Sequence, residues 1–168
     1  GHLDFTESFK KRLSILKGVS NSSFESVYNE KVEFSPGAKE LINFFKSNQV
    51  KTAMVSGGLN FFAKKLQAEL EIEKYRANNV EIINGLMTGN VLGKVVDAKE
   101  KAAYIKELCE EFNLKNDQVV AIGDGANDIE MMKVAGMSVA YHAKPLLKEY
   151  CNIQINFGGL DSLIHFFE

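Results

Sequence analysis

The segment VVAIGDGANDIEMM, residues 119 to 132, limits what this chain can become more than any other stretch. Four apolar residues, Val119 to Ile122, predict a buried parallel strand, and Ile129, Met131, Met132, Val134 and Ala135 recur as on the buried face of a helix. Between them lies Gly-Asp-Gly-Ala-Asn-Asp. In an open α/β sheet such a turn sits at the carboxyl end of a strand, where ligands bind, and its glycines let the backbone approach a ligand closely. Asp124 and Asp128 fall in this one turn. Carboxylates so close repel one another unless a cation joins them, and a hard ion such as Mg²⁺ suits one or two carboxylates plus a substrate phosphate. Two plainer readings compete. Aspartates also cap turns and helices, and the glycines suggest a dinucleotide fingerprint, although G-x-G-x-x-G needs glycine where Asp128 stands.

The remaining pattern alternates strands and helices. An amphipathic helix is expected over residues 4 to 17, opened by an Asp4 and Glu7 capping box, with Phe5, Phe9, Leu13 and Leu16 on one face and Gly18 at its end. A weaker helix over 19 to 30 opens at Ser22 or Ser23. After the break Ser35-Pro36-Gly37 come a helix over 38 to 47, a strand over 50 to 55, a turn at Ser56-Gly57-Gly58 and a helix over about 60 to 70. Glycines at 85, 89 and 93 punctuate strand-like runs in residues 80 to 96, which suggests a hairpin or flap. A long helix runs from Asp97 to Phe112, where Asp97 and Glu100 form a second capping box, and strands are expected at 137 to 140 and 153 to 156, with a loop around Ala143-Lys144-Pro145 and a last helix from Asp161. The fold class is therefore α/β, a Rossmann-like doubly wound parallel sheet with a small helical subdomain. Its boundary is placed near residue 33, dividing 1–33 from 34–168.

With 168 residues and 45% hydrophobic content the chain can bury one substantial core. Twenty basic residues against 22 acidic ones leave a net charge of −2, so no global field recruits nucleic acid or an anionic membrane, and an anionic substrate must be held by local charges. Cys109 and Cys151 lack metal-ligand spacing and read as reduced thiols, which favours a cytoplasmic address. His2, His142 and His165 are scattered and read as structural or solvated. The sequence has no apolar run near about 18 residues and no visible signal peptide. It opens with Gly1 rather than Met, as a processed or engineered segment would.

Two further features carry chemistry. Ser56, Gly57 and Gly58 stand where a strand hands over to a helix, so a hydroxyl and unpaired backbone N–H groups converge on one spot, which makes an anion site or simply a tight turn of small residues. Lys101 lies in the first turn of its helix, where the macrodipole disfavours a cation, and residues that break a local rule are often functional. Lys99 is the competing candidate.

These features occur in one order: VSGGLNFFAKKL at 55 to 66, NGLMTGNVLGKVVDAKEKA at 84 to 102, VAIGDGANDIEM at 120 to 131 and AYHAKPLLKE at 140 to 149. In that order they resemble the haloacid dehalogenase superfamily and, within it, the phosphoserine phosphatases. The opening GHLDFTESFKKRLSILKG resembles their helical cap, so residues 1–33 are expected to be part of a cap and 34–168 the phosphatase core. The resemblance implies hydrolysis of L-phosphoserine to L-serine and phosphate, the last step of serine synthesis, with Mg²⁺ as cofactor. It implies that Ser56 and the N–H of Gly57 bind phosphoryl oxygens together with Lys101 and Asn127, and that Lys101 neutralises the phosphoryl group. Lys101 and Asp128 are the catalytic candidates. Asp124 is implied as a metal ligand, with Asp128 and Asn127 completing or orienting the metal's shell. Phe5 and Arg12 match residues holding the amino acid part of the substrate; seven residues apart, they share a helix face.

One motif of the family is missing. Its first strand ends in Asp-x-Asp-x-Thr, which supplies nucleophile, general acid and one metal ligand, and residues 1–168 contain no such motif. Loss of that central strand is expected to leave its neighbours with unpaired backbone groups. The expectation is a C-terminal fragment, inactive alone, whose partners are phosphoserine and a complementing N-terminal segment, with a homodimer left open. The alternatives are a non-catalytic binder of phosphorylated metabolites and a phosphatase for another small phosphomonoester.

Overall fold

The computed structural model describes residues 5–167. His2, and Asp4 of the expected first capping box, lie outside the described residues. In chain order the regular elements are α1 (Phe5–Ile15), α2 (Ser23–Lys31), α3 (Ala38–Ser47), β1 (Ala53–Leu59), α4 (Asn60–Leu70), β2 (Lys74–Ile83), β3 (Leu86–Leu92), α5 (Ala98–Phe112), β4 (Val120–Gly123), α6 (Ile129–Val134), β5 (Met137–Tyr141), α7 (Pro145–Lys148) and β6 (Ile153–Ile155). The last helix, expected from Asp161, is a 3₁₀ helix over Leu160–Phe166. A short helix, α7, occupies the expected loop, with Pro145 supplying the fixed φ of a first turn.

The residues form two compact units. The first comprises 1–34 and 53–97, the second 35–52 and 98–168.

In the first unit β1 pairs in parallel with β2, and β2 pairs antiparallel with β3. The β2–β3 hairpin closes through Asn84 and Gly85, both at positive φ, between the paired Ile83 and Leu86; two left-handed residues are what a tight hairpin turn requires. Phe9 and Leu13 of α1, Phe24 of α2, Met87 and Val95 form the core, joined by Phe61 and Phe62 of α4. The first half of β2 was not foreseen, because Lys74, Arg76, Asn78 and Asn79 interrupt the apolar pattern that marks a strand. β1 also differs from expectation: it runs to Leu59 through Ser56, Gly57 and Gly58 rather than ending at Val55.

In the second unit β4, β5 and β6 form a parallel sheet, with Leu41 of α3, Val139, Ile155 and Leu163 packed as its core. The described strands thus fall into two three-stranded sheets, in which β1 and β4 each end a sheet, hydrogen-bonded to one neighbour. Such edges carry a row of N–H and C=O groups without ladder partners.

Candidate active site

The second unit gathers four of the expected residues at the carboxyl end of β4. Lys101, in the first turn of α5, reaches Asp128 across the loop, Nζ to Oδ1 at 2.6 Å. Both are buried, at 5% and 3% exposure, whereas Lys99 is exposed. Between the two candidate lysines, burial and pairing single out Lys101. The other Asp128 oxygen, Oδ2, accepts the backbone N–H of Asp124 at 3.1 Å and of Gly125 at 3.3 Å. Asn127 Nδ2 lies 3.4 Å from Oδ1.

Those bonds bear on the capping alternative. Asp128 stands at the N-cap of α6, yet its side chain makes no cap hydrogen bond there. The carboxylate turns back to hold the loop and the lysine instead. Gly123 leaves room for this: a Cβ at that position would lie 2.6 Å from Asp128 Oδ2 and 2.7 Å from Met132 Cε. Asp124 carries the opposite disposition. It is exposed, its backbone carbonyl accepts the N–H of Lys144 at 2.9 Å, and its carboxylate has no hydrogen-bond or ion-pair partner among the described residues. A buried, fully engaged carboxylate thus stands four residues from a solvent-facing one with its lone pairs available.

The donor set is all oxygen, which fits a hard cation. A carboxylate has about four lone-pair positions, and Asp128 commits them to Lys101, two backbone N–H groups and the long contact to Asn127. Asp124 is the free ligand of the pair. Only the position held at 3.4 Å by Asn127 is weakly occupied on Asp128. Cys151 offers no competing nucleophile, since burial first, and the Asp128 charge in smaller measure, push its thiol above the ordinary range. His142 is engaged structurally, with Nε2 at 2.8 Å from the Gly158 carbonyl.

The first unit holds the other expected residues. In β1, Ser56 Oγ accepts the N–H of Gly58 at 3.0 Å. Phe5 lies over Gly57: a Cβ there would meet its Cζ at 2.7 Å, so glycine is required for the ring to sit where it does. Phe5 also stacks on Phe9, with ring centroids 6.4 Å apart. Arg12, two turns along α1 from Phe5, is exposed and donates from Nε to the Ser8 carbonyl at 3.4 Å, a weak contact that leaves most of the guanidinium fork uncommitted. Within this unit Phe5 and Gly57 are brought together.

Two residues escaped the sequence reading. Gly123 was read as a turn glycine that lets backbone approach a ligand, not as the residue whose missing side chain leaves room for the Asp128 carboxylate. Asn78, 1% exposed, donates from Nδ2 to the Gly57 carbonyl at 2.9 Å and accepts the Val96 N–H on Oδ1 at 2.8 Å. An asparagine pair in a polar stretch is the one signal that pointed to it.

The family model of haloacid dehalogenase-like hydrolases matches residues 1–133. A phosphoserine phosphatase of Polaromonas is 41% identical over 165 residues, 96% of this chain and 70% of the relative. The chain belongs to the phosphoserine phosphatase family of haloacid dehalogenase-like hydrolases. Among solved structures, a probable phosphoserine phosphatase from Vibrio cholerae superposes with a TM-score of 0.91 at 36% identity, covering 96% of this chain and half of that one. A substrate-bound phosphoserine phosphatase complex superposes with a TM-score of 0.92 at 32% identity over 98% of this chain and 78% of the other. The fold is thus the Rossmann-like α/β fold of the haloacid dehalogenase-like phosphatases. No helix among the described residues is long and apolar enough to cross a membrane.

Proposed function

We propose that this chain carries the metal and phosphoryl sites of a Mg²⁺-dependent phosphoserine phosphatase, acting in the cytoplasm in serine biosynthesis on L-phosphoserine, with residues 1–33 as part of its cap and 34–168 as its core. The observation that carries this reading is the buried Lys101–Asp128 pair set beside the unpartnered Asp124 carboxylate at the end of β4. Burying a charge pair carries a desolvation cost, and buried, specifically paired titratable groups in a loop cluster at functional sites. Asp124 is the direct metal ligand in this reading. Asp128 holds Lys101 and the loop amides, and touches the metal's shell through the position it shares with Asn127. When bound, Mg²⁺ neutralises negative charge on the phosphoryl oxygens.

The roles of the chain's own residues follow from their chemistry. Lys101, anchored by Asp128, presents a fixed positive charge to the phosphoryl group without moving, so no reorganisation is needed as charge develops. Ser56 already accepts the Gly58 N–H, so its hydroxyl hydrogen is free to donate to a phosphoryl oxygen. The Gly57 N–H and Asn127 amide are assigned as further phosphoryl contacts. Arg12 is assigned to the substrate carboxylate, for which a guanidinium fork is geometrically suited, and Phe5 to the substrate's carbon chain. The attacking aspartate and the general acid are assigned to an Asp-x-Asp-x-Thr segment outside residues 1–168.

Substrate choice is tested by Arg12→Ala in the complete enzyme. Loss of a charged, bidentate contact lowers kcat/KM for L-phosphoserine by roughly ten- to a hundredfold and leaves an aryl phosphate within about twofold. Equal losses on both substrates would assign the enzyme to another phosphomonoester.

A further inference from the structure

β1 and β2 fall out of step at the phosphoryl turn. Val55 pairs with Arg76 and Leu59 with Asn78, so four steps along β1 face two along β2, and Ser56, Gly57 and Gly58 bulge from the ladder between those pairs. A bulge leaves its own backbone groups to find partners elsewhere. Here both polar ends of one peptide unit are held. The Gly57 carbonyl accepts Asn78 Nδ2 at 2.9 Å, and the N–H of Gly58, on the opposite side of the same planar group, donates to Ser56 Oγ at 3.0 Å. Asn78 is itself fixed from behind by the Val96 N–H at 2.8 Å and is 1% exposed, so its amide cannot rotate away without stranding a buried group.

We propose that Asn78 is a positioning residue for phosphoryl binding, which locks the Gly57–Gly58 peptide in the one orientation that lets Ser56 donate its hydroxyl hydrogen to the substrate. This rests on the phosphatase reading of Ser56. Without the Asn78 donor the peptide is free to flip, because glycines on both sides tolerate either orientation. A flip removes the Gly58 N–H from Ser56 Oγ and turns a carbonyl oxygen toward it. The hydroxyl hydrogen then goes to that carbonyl and is lost to the phosphoryl group. An apolar side chain of similar volume would fill the space and leave both the Gly57 carbonyl and the Val96 N–H unpaired, so asparagine is the residue that meets both at once.

The test uses the complete enzyme and inorganic phosphate as a competitive inhibitor, with L-serine as the control. Asn78→Asp keeps the acceptor for Val96 and removes the donor to Gly57. It raises the inhibition constant of phosphate and the KM for phosphoserine together by about tenfold, the size of one hydrogen bond, and leaves inhibition by L-serine within about twofold. A purely structural role would lower the thermal midpoint with phosphate inhibition unchanged in the folded variant, and that result overturns the proposal. Should the variant not fold, the wild-type enzyme decides: the Asn78 side-chain amide resonances shift on titration with phosphate, and resonances that stay fixed while phosphate inhibits overturn it. A wild-type enzyme that neither binds phosphate nor hydrolyses phosphoserine instead removes the reading of Ser56, and the role of Asn78 falls with it.

Discussion

Replacing Lys101 by Met removes one ammonium and leaves the aliphatic stem in place. The Lys101–Asp128 pair spans 2.6 Å with side chains 7% and 4% exposed. The same chain offers a control of equal length, Lys133–Glu130 at 2.7 Å with side chains 48% and 45% exposed. The N–O distances are matched and burial differs sharply, although the exposed pair is an i,i+3 contact within α6 whose lysine also lies over the Tyr150 ring. Removing one member of a buried pair strands the other charge and costs roughly 3–5 kcal/mol, and Asp128 retains two backbone N–H donors, so Lys101→Met belongs at the lower end, about 3 kcal/mol. Lys133→Met costs little, as the loss of an exposed pair does. In urea, with a slope of about 2 kcal/mol/M for a domain of this size, the first shifts the midpoint by about 1.5 M and the second by less than about 0.5 M. The double variant Lys101→Met with Asp128→Asn is less destabilised than the sum of its singles by about 2 kcal/mol, since neither charge is then stranded. Equal midpoint shifts for Lys101→Met and Lys133→Met, or additivity in the double variant, would refute the claim that burial gives this pair its weight.

Gly123→Ala sets a methyl 2.6 Å from Asp128 Oδ2, so the carboxylate shifts and Mg²⁺-dependent turnover in the complete enzyme falls at least about tenfold. Gly57→Ala collides with the Phe5 ring at 2.7 Å; because the ring can swing away, stability changes by less than about 1 kcal/mol whereas KM for phosphoserine rises. Tyr28, buried and hydrogen-bonded to Glu69 at 2.7 Å, has its hydroxyl pushed up from 10.0 to about 12, chiefly by desolvation. The folded state therefore holds that proton more tightly than the unfolded chain, so this contribution is complete below pH 10.0 and is lost as pH rises toward about 12, and urea midpoints at successive alkaline pH fall less steeply in Tyr28→Phe. Leu163→Ala, at a position with 0% exposure in the second unit's core, costs roughly 2–5 kcal/mol by urea unfolding.

The elements with strong periodicity were legible: α1, α3, α4, α5 and β4 stand where their apolar spacing puts them. The acidic turn was legible because its glycines and aspartates have few other uses at a strand end. What escaped was set by tertiary partners. β2 carries Lys74, Arg76 and two asparagines, and its strand state comes from pairing on both sides by β1 and β3. In the extension of β1 through Ser56 to Leu59, the Gly57 carbonyl accepts the Asn78 amide and Leu59 pairs with Asn78, contacts 21 and 19 residues away in sequence that no local pattern reveals. The 3₁₀ form of Leu160–Phe166 was not legible, since a segment of seven residues has little cooperative gain from α-helical bonding. For the site, Asp124, Asp128 and Lys101 were visible in the sequence, with Lys101 set ahead of Lys99 by the resemblance, but nothing in it showed that Asp128 faces the lysine and the loop amides instead of capping α6.

The central claim is that this chain holds the phosphoryl and metal sites while a separate Asp-x-Asp-x-Thr segment holds the nucleophile. Phosphate release from L-phosphoserine with Mg²⁺ is the direct measurement, made on the polypeptide of residues 1–168 alone and on the same polypeptide joined at Gly1, in frame, to a family segment bearing the strand and Asp-x-Asp-x-Thr. The account predicts turnover only from the joined protein, abolished there by Asp124→Asn. Turnover by residues 1–168 alone, or a joined protein that folds and remains inert, would contradict it.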